Sequence, residues 1–212
     1  MEKDNTELIV AEEITRKNGE IFANTFQGKL AECAVYNELH NKTDITMPDF
    51  DTYELGKWDT VDLKINGYEV SVKSTKAFGN LLLLETKDWN ENGVYLPNRA
   101  PYDYTLLVRM NPYCEDILKR ARLLYSDTAD ISVLNNIICG ESWKYDFAGF
   151  ISLDELQYII RNRLILPQGA MLNRRTKMDA ENYYVQAGDM HEISEFLEAI
   201  NAKNWNKKRR CT

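Results

Sequence analysis

The sequence predicts an α/β protein in which helices flank a mixed central β-sheet. Three observations carry that expectation. Phe22, Phe26, Leu30, Cys33, Ala34 and Asn37 recur at helical spacing between Ile21 and Leu39. Two alternating runs flank Asn66-Gly67, the strongest short-range signal for a two-residue hairpin turn. Further strand-like and helix-like segments then follow in mixed order, which suits one sheet with helices packed on it.

Taken along the chain, Thr6 to Lys17 reads as a helix that Asn18-Gly19 stops, and Ile21 to Leu39 as the next helix, with Glu32 at the edge of its apolar stripe. Asn41 to Lys57 is turn-rich, with an edge strand expected near Phe50 to Leu55. After the hairpin, Lys76 to Asn80 breaks the strand, and Leu81 to Glu85 reads as a buried strand. Lys87 to Pro101 is a long loop carrying Trp89, Tyr95 and Arg99; loops of that length in compact domains are more often functional than idle. Tyr104 to Met110 is a strand, Glu115 to Leu124 a helix and Ala148 to Ser152 a short strand. Asp154 to Arg161 is a helix capped by Ser152 or Asp154. Pro167 to Lys177 is loop, Tyr183 to Gln186 a strand and Glu192 to Asn201 a helix.

A chain of 212 residues suits a single domain over 1–212, with a basic tail over 203–212. No run of about 18 apolar residues is present, so no membrane span is expected. The polar, acidic start Met1 to Thr6 is unlike a secretory signal, and Cys33, Cys114, Cys139 and Cys211 are scattered, which together suit a cytoplasmic protein with reduced thiols. With only His40 and His191, a His-rich zinc site or a His-dependent triad is disfavoured. The net charge of −7 weighs against nucleic acid as a partner, but the charge is unevenly placed. Arg161, Arg163, Arg174, Arg175 and Lys177 form an acid-free basic stretch, Lys203 and Lys207 to Arg210 form another, and acids concentrate in residues 1–62.

A type I′ turn at Asn66-Gly67 fixes the strand register. Ile65 then faces Tyr68, Lys64 faces Glu69, Leu63 faces Val70, Asp62 faces Ser71, Val61 faces Val72 and Thr60 faces Lys73. The apolar residues share one side and build a core. Asp62, Ser71 and Lys73 share the other, with Thr60, Lys64 and Glu69.

An aspartate on one strand and an acid-x-lysine on the next resembles the PD-(D/E)xK nuclease superfamily, and Gly28-Lys-Leu-Ala-Glu32 upstream resembles its first-helix glutamate. The match covers Gly28 to Lys73, and Asn182-Tyr-Tyr-Val-Gln-Ala-Gly-Asp189 is similar to restriction-endonuclease-like sequences in a looser way. The resemblance implies a restriction-endonuclease-like core of helix, three-strand meander, helix and strand. One position departs from the pattern: the acid of acid-x-lysine is Ser71, as in superfamily members that bring a glutamate from elsewhere.

The roles implied are those of metal-dependent phosphodiester hydrolysis, with Mg²⁺ as cofactor and Mn²⁺ as a substitute, held by hard oxygen ligands. Asp62 is the first ligand; its plain alternative is a solvent-facing strand aspartate, and aspartate is disfavoured in strands. Asp59 is the fallback, and Asp49 of Pro48-Asp49 a distant third. Lys73 would stabilise charge on the phosphate and orient the attacking water; its alternative is an exposed strand lysine. Val72 would offer its carbonyl. Because Ser71 carries no charge, the second carboxylate comes from Glu32, Glu85 or Glu69, the last more simply read as a cross-strand ion pair with Lys64. Gln186 is a further candidate for contact with substrate or lysine, more simply a sheet glutamine. Arg99, Arg174, Arg175 and Lys177 are the candidate DNA contacts, with Asn98, Gln168 and Asn173 chemically suited to base edges. Trp89, Tyr95 and Trp143 at these spacings are more simply core.

The function implied is a type II restriction endonuclease acting on double-stranded DNA as a homodimer. Alternatives are a structure-specific repair or junction nuclease, a nuclease-like DNA-binding protein that no longer cuts, and an acidic interaction module that keeps only the fold.

Overall fold

The computed structural model describes residues 17–50, 61–172 and 176–201. The helix expected over Thr6 to Lys17 and the edge strand expected near Phe50 to Leu55 lie outside these residues, apart from Lys17 and Phe50. The architecture is mixed α/β, with a mixed four-stranded sheet between two layers.

Helix α1 (Asn18–Leu39) begins where the sequence suggested a stop. Glu20 accepts from the Lys17 amide at 2.9 Å, closing the first turn. The Gly19 amide donates to Ser126 O at 3.0 Å, and a Cβ on Gly19 would sit 2.1 Å from the Leu123 carbonyl oxygen. This glycine serves close backbone approach, not helix termination.

The main sheet has the order β1 (Leu63–Ile65), β2 (Tyr68–Lys76), β4 (Tyr104–Asn111), β5 (Lys144–Ser152). β2 and β4 are parallel; the outer pairs are antiparallel. Asn66 and Gly67 both have positive φ, 50° and 86°, as a type I′ turn requires. The register follows: Leu63↔Val70, Lys64↔Glu69, Ile65↔Tyr68. The ladder ends there, so Val61 and Asp62 leave the strand. The outer edge of β1 is covered by the segment after α1. Ile45 bridges Ile65, the Thr46 amide donates to Lys64 O at 2.9 Å, and Asn66 Oδ1 accepts from the Asp44 amide at 2.9 Å.

β3 (Leu81–Glu85) does not complete a meander with β1 and β2. Both edges of β2 are already taken, by β1 and β4, so β3 crosses to a second sheet of order β3-β9-β6. There it pairs antiparallel with β9 (Asn182–Gln186), whose other edge carries β6 (Ile165–Leu166). The expected loop over Pro167 to Lys177 contains a small hairpin, β7 (Met171–Leu172) with β8 (Thr176–Lys177). Helix α2 (Cys114–Arg120) is shorter than expected; Arg122, at φ 59°, turns the chain out of it. Helix α3 (Ile131–Cys139), capped by Asp130, was not anticipated. α4 (Leu153–Arg161) takes Ser152 as its cap, with Glu155 completing a capping box, and α5 (Ile193–Asn201) closes the described chain.

Two cores follow. On one face of the main sheet, Leu63, Ile65, Val70, Val72, Leu106 and Val108 pack against α1 and α5. On the other, Leu107 and Ile151 pack with Leu82 and Leu84 of β3, Val185 of β9 and Leu156 and Ile159 of α4. A third cluster joins α1 to α2 and α3, with Trp143 against Phe26. The face expected to be polar and open is therefore roofed by the second sheet. Val61, expected in the first core, packs in the second. No helix among the described residues is long and apolar enough to cross a membrane.

Candidate active site

Asp62 sits one residue before β1, and its carboxylate is held by three donors. Oδ2 accepts from the Val72 amide at 2.7 Å and from Ser71 Oγ at 3.1 Å. Oδ1 accepts from the Tyr102 hydroxyl at 3.3 Å. The cause is local. In a two-residue hairpin of this register, the Val72 amide is the one that would next bond across the ladder, to Val61. The strand has ended, and the Asp62 side chain supplies the acceptor instead, as short polar side chains do where a ladder stops.

Ser71 is fully buried and faces the second core; Lys73, two residues on, shares that face and is half-buried. Lys73 Nζ lies 5.1 Å from the Tyr95 ring centroid, within cation–π range. Tyr95 belongs to the long loop after β3, where it bridges both Trp89 and Ala100. Trp89 and Tyr95 are thus packed aromatics, their rings 5.0 Å apart.

Two more acids join. Glu85 ends β3, and the next turn, Thr86–Asp88, carries Asp88. Glu85 Oε2 is shielded from solvent and meets the Lys87 ammonium at 2.7 Å. Burial raises the Asp88 carboxyl above the usual range, and the Glu85 charge raises it further; Lys87 and Lys73 offset part of this. The Tyr95 phenol is pushed up to about 12 by burial and then by the charges of Asp88, Asp62 and Glu85. The Tyr102 phenol is raised further, first by burial and then by Asp62. Asp62, Glu85 and Asp88 therefore act on one phenol whose ring is beside Lys73. Three carboxylates against Lys73 and Lys87 leave an excess of negative charge.

The other expected residues are placed less centrally. Glu32 is buried on α1, paired with Lys29 at 3.0 Å, and α1 packs on the opposite face of the sheet. Its charge raises the Cys33 thiol, after burial. The Val72 side chain is in the core, and its amide serves Asp62. Glu69 faces Lys64 in the ladder, and its amide donates to Asp103 at 2.8 Å. Gln186 is exposed and opposes Leu81, at the far end of β3 from Glu85. Arg99 is exposed at positive φ on the long loop. Lys177 is exposed on β8; five residues on, Asn182 pairs with Glu85. Arg174, Arg175, Asp59 and the 203–212 tail lie outside the described residues. Asp49 is among the described residues, in a stretch without secondary structure, and is half-buried.

Asp88 and Tyr102 were not singled out from the sequence. The one available signal was the length of the loop that holds Asp88 at its start and leads to Tyr102 at its end. Among the described residues, no cluster of three or more His, Cys, Asp or Glu side chains is already arranged as a metal site. Comparison with family profiles, characterised proteins and solved structures gives no match to this chain.

Proposed function

We propose that this chain is a Mg²⁺-dependent endonuclease that hydrolyses DNA phosphodiester bonds, of the type II restriction kind. The observation that carries the reading is geometric: Asp62 is hydrogen-bonded to Ser71 and the Val72 amide at the hairpin base, and Lys73, two residues on from Ser71 along the same face, lies against the Tyr95 ring. Asp62 and Lys73 come from the hairpin, and Glu85 and Asp88 come from the end of β3 and the turn after it in the second sheet above, which is the kind of acid and lysine set that the resemblance calls for. Asp88 and Glu85 together supply the negative charge that Ser71 lacks.

The donor chemistry is that of a hard divalent cation, carboxylate oxygens with an excess negative charge, and an ion at Glu85 would take the place of the Lys87 ammonium that now meets its Oε2 at 2.7 Å. Asp62 through Oδ1 and Glu85 would hold the ion, with Asp88 beside them; when bound, it supplies charge neutralisation and a more acidic water. The chain's own residues do the rest. Ser71 and the Val72 amide keep Asp62 fixed. Lys73 offers a cation to the phosphate oxygens and a donor to the incoming water. Trp89 and Tyr95 wall the site from bulk solvent. Exposed Arg99 and Lys177, with Arg174 and Arg175, are the proposed DNA contacts, and a homodimer would place two such sites for two-strand cleavage.

A second reading has its own support. The Asp62 carboxylate already takes three hydrogen bonds, and Ser71 is buried against it, so Asp62 also has a structural role in closing the hairpin base. That arrangement suits a nuclease-like DNA-binding protein that does not cut. Incubation of supercoiled and phage DNA with the protein, with and without Mg²⁺, separates the two. Mg²⁺-dependent discrete fragments, lost in Lys73→Ala, support the restriction enzyme. Retained DNA binding with no nicking in Mg²⁺ or Mn²⁺ overturns it in favour of the second reading.

A further inference from the structure

We infer that Tyr102 and Tyr95 are the positioning residues of this site, one holding Asp62 and the other Lys73, so that a single loop sets the geometry of both reactive groups. The inference rests on the nuclease reading above and goes beyond it in assigning residues outside the hairpin.

Tyr102 is 2% exposed, two residues before β4, and belongs to the second core. That hydroxyl accepts from Asn98 Nδ2 at 3.0 Å and donates to Asp62 Oδ1 at 3.3 Å. Asn98 is itself oriented, because its Oδ1 accepts the Ala100 amide at 2.9 Å. The chain Ala100–Asn98–Tyr102–Asp62 runs in one direction. Asn98 fills the acceptor side of the phenol, so its proton points to Asp62. Oδ2 is already committed to Ser71 and Val72, and among the described residues Tyr102 is the side chain that restrains the remaining oxygen. Rotation of the carboxylate about its Cβ–Cγ bond would break all three hydrogen bonds at once.

Tyr95 acts on the other partner. A lysine has four rotatable bonds and gains little from any one position in water. Here the ring face attracts the ammonium at 5.1 Å and limits where it can go. The Tyr95 ring is fixed in turn by Trp89 at 5.0 Å and Tyr102 at 6.2 Å. The Asn90 side chain accepts the Asn92 and Val94 amides, at 3.0 and 2.9 Å, and sets the bend that delivers Tyr95.

The test uses the full chain with Mn²⁺ alone as probe, followed by paramagnetic resonance, and plasmid nicking in parallel. Tyr102→Phe removes only the hydroxyl. It should weaken Mn²⁺ binding about tenfold, in the range seen when a hydrogen-bond partner of a metal ligand is removed. Its Val72 amide should exchange with solvent faster, a readout independent of metal and activity. Tyr95→Leu should lower kcat about tenfold at saturating Mn²⁺ with Mn²⁺ affinity retained, and Tyr95→Phe, which keeps the ring, should restore the rate. Wild-type Mn²⁺ affinity and Val72 exchange in Tyr102→Phe would overturn the role of Tyr102 and leave the nuclease reading standing. An equal loss in Tyr95→Leu and Tyr95→Phe would overturn the role of the ring. Wild-type protein that neither binds Mn²⁺ nor nicks DNA would overturn the nuclease reading and the inference with it.

Discussion

The amide of Val72 donates to the carboxylate of Asp62 at 2.7 Å, in the place where a continued hairpin would use the Val61 carbonyl. Asp62 is thus both the expected reactive acid and the fastening of the hairpin base. Asp62→Ala strands the Val72 amide and the Ser71 hydroxyl, both in buried surroundings. We expect a loss of roughly 1–3 kcal/mol in unfolding free energy, and a smaller loss for Asp62→Asn, which keeps an acceptor. Urea unfolding of the two variants checks this. Equal midpoints for Asp62→Ala and wild type would show that these hydrogen bonds do not hold the hairpin, and activity loss in Asp62→Ala should be interpreted only beside Asp62→Asn.

Lys73→Ala is the cleaner probe of chemistry, because Lys73 is half-exposed and its ammonium lies over the Tyr95 ring. Nicking should fall about 10²–10³-fold with the unfolding midpoint near that of wild type. Wild-type nicking by this variant would remove Lys73 from the mechanism.

Ser71→Asp restores the acid of the common motif on paper. In the structure, Ser71 is 0% exposed and its Oγ is 3.1 Å from Asp62 Oδ2. Two carboxylates at that spacing cannot both ionise in a buried site. The variant should be less stable than wild type at pH 7 and recover as pH falls and one carboxyl protonates. Thermal melts at pH 5 and pH 7 test this; a variant as stable as wild type at both would contradict the packing described.

Asp88→Asn gives a pH-dependent test with the opposite sign from an ordinary paired carboxylate. The Asp88 carboxyl is raised by burial and by Glu85, so the folded protein holds its proton more tightly than the unfolded chain. Its contribution to stability is therefore present below the ordinary carboxylate range and is lost as pH rises through the raised value. Asp88→Asn should melt higher than wild type near pH 7 and lose that advantage at pH 3. Added Mg²⁺ should raise the wild-type melting temperature more than that of the variant, since a bound cation relieves the same crowding. A variant that melts below wild type at pH 7 would show that Asp88 is not under electrostatic strain.

The basic stretch can be tested by salt. Lys177 is exposed on β8, and the chain runs from there to Asn182, opposite Glu85. Replacement of Arg174, Arg175 and Lys177 by alanine should reduce the slope of log affinity against log salt by about 0.9 for each phosphate that is no longer neutralised. An unchanged slope would assign these residues to ordinary solvated surface.

The parts of this fold that are legible in the sequence are those decided locally. Asn66-Gly67 demands its turn, and the alternation around it sets the register down to Leu63↔Val70. Asp62 and Ser71 as neighbours follow from the same rule. The ends of helices are less legible where another segment decides them: Gly19 looks like a terminator until the Leu123 carbonyl is seen against it. The roof over the hairpin could not be read, because it depends on β3 choosing β9, a strand from the far end of the chain, once β2 has no free edge. That choice also moved Val61 into the second core. Tyr102 and Asp88 were hidden for the same reason: nothing near them in the sequence indicates Asp62.

The strap over the outer side of β1 has a consequence for assembly. Ile45 and Thr46 occupy the hydrogen-bonding edge that β1 would otherwise offer, and Asn66 at the hairpin tip is tied to both Asp44 and Asn201. A strand from another molecule cannot extend the sheet on that side without first peeling this strap away. Any pairing of two copies through this flank must therefore be made by side chains meeting across a closed surface, with the sheet of each copy remaining its own.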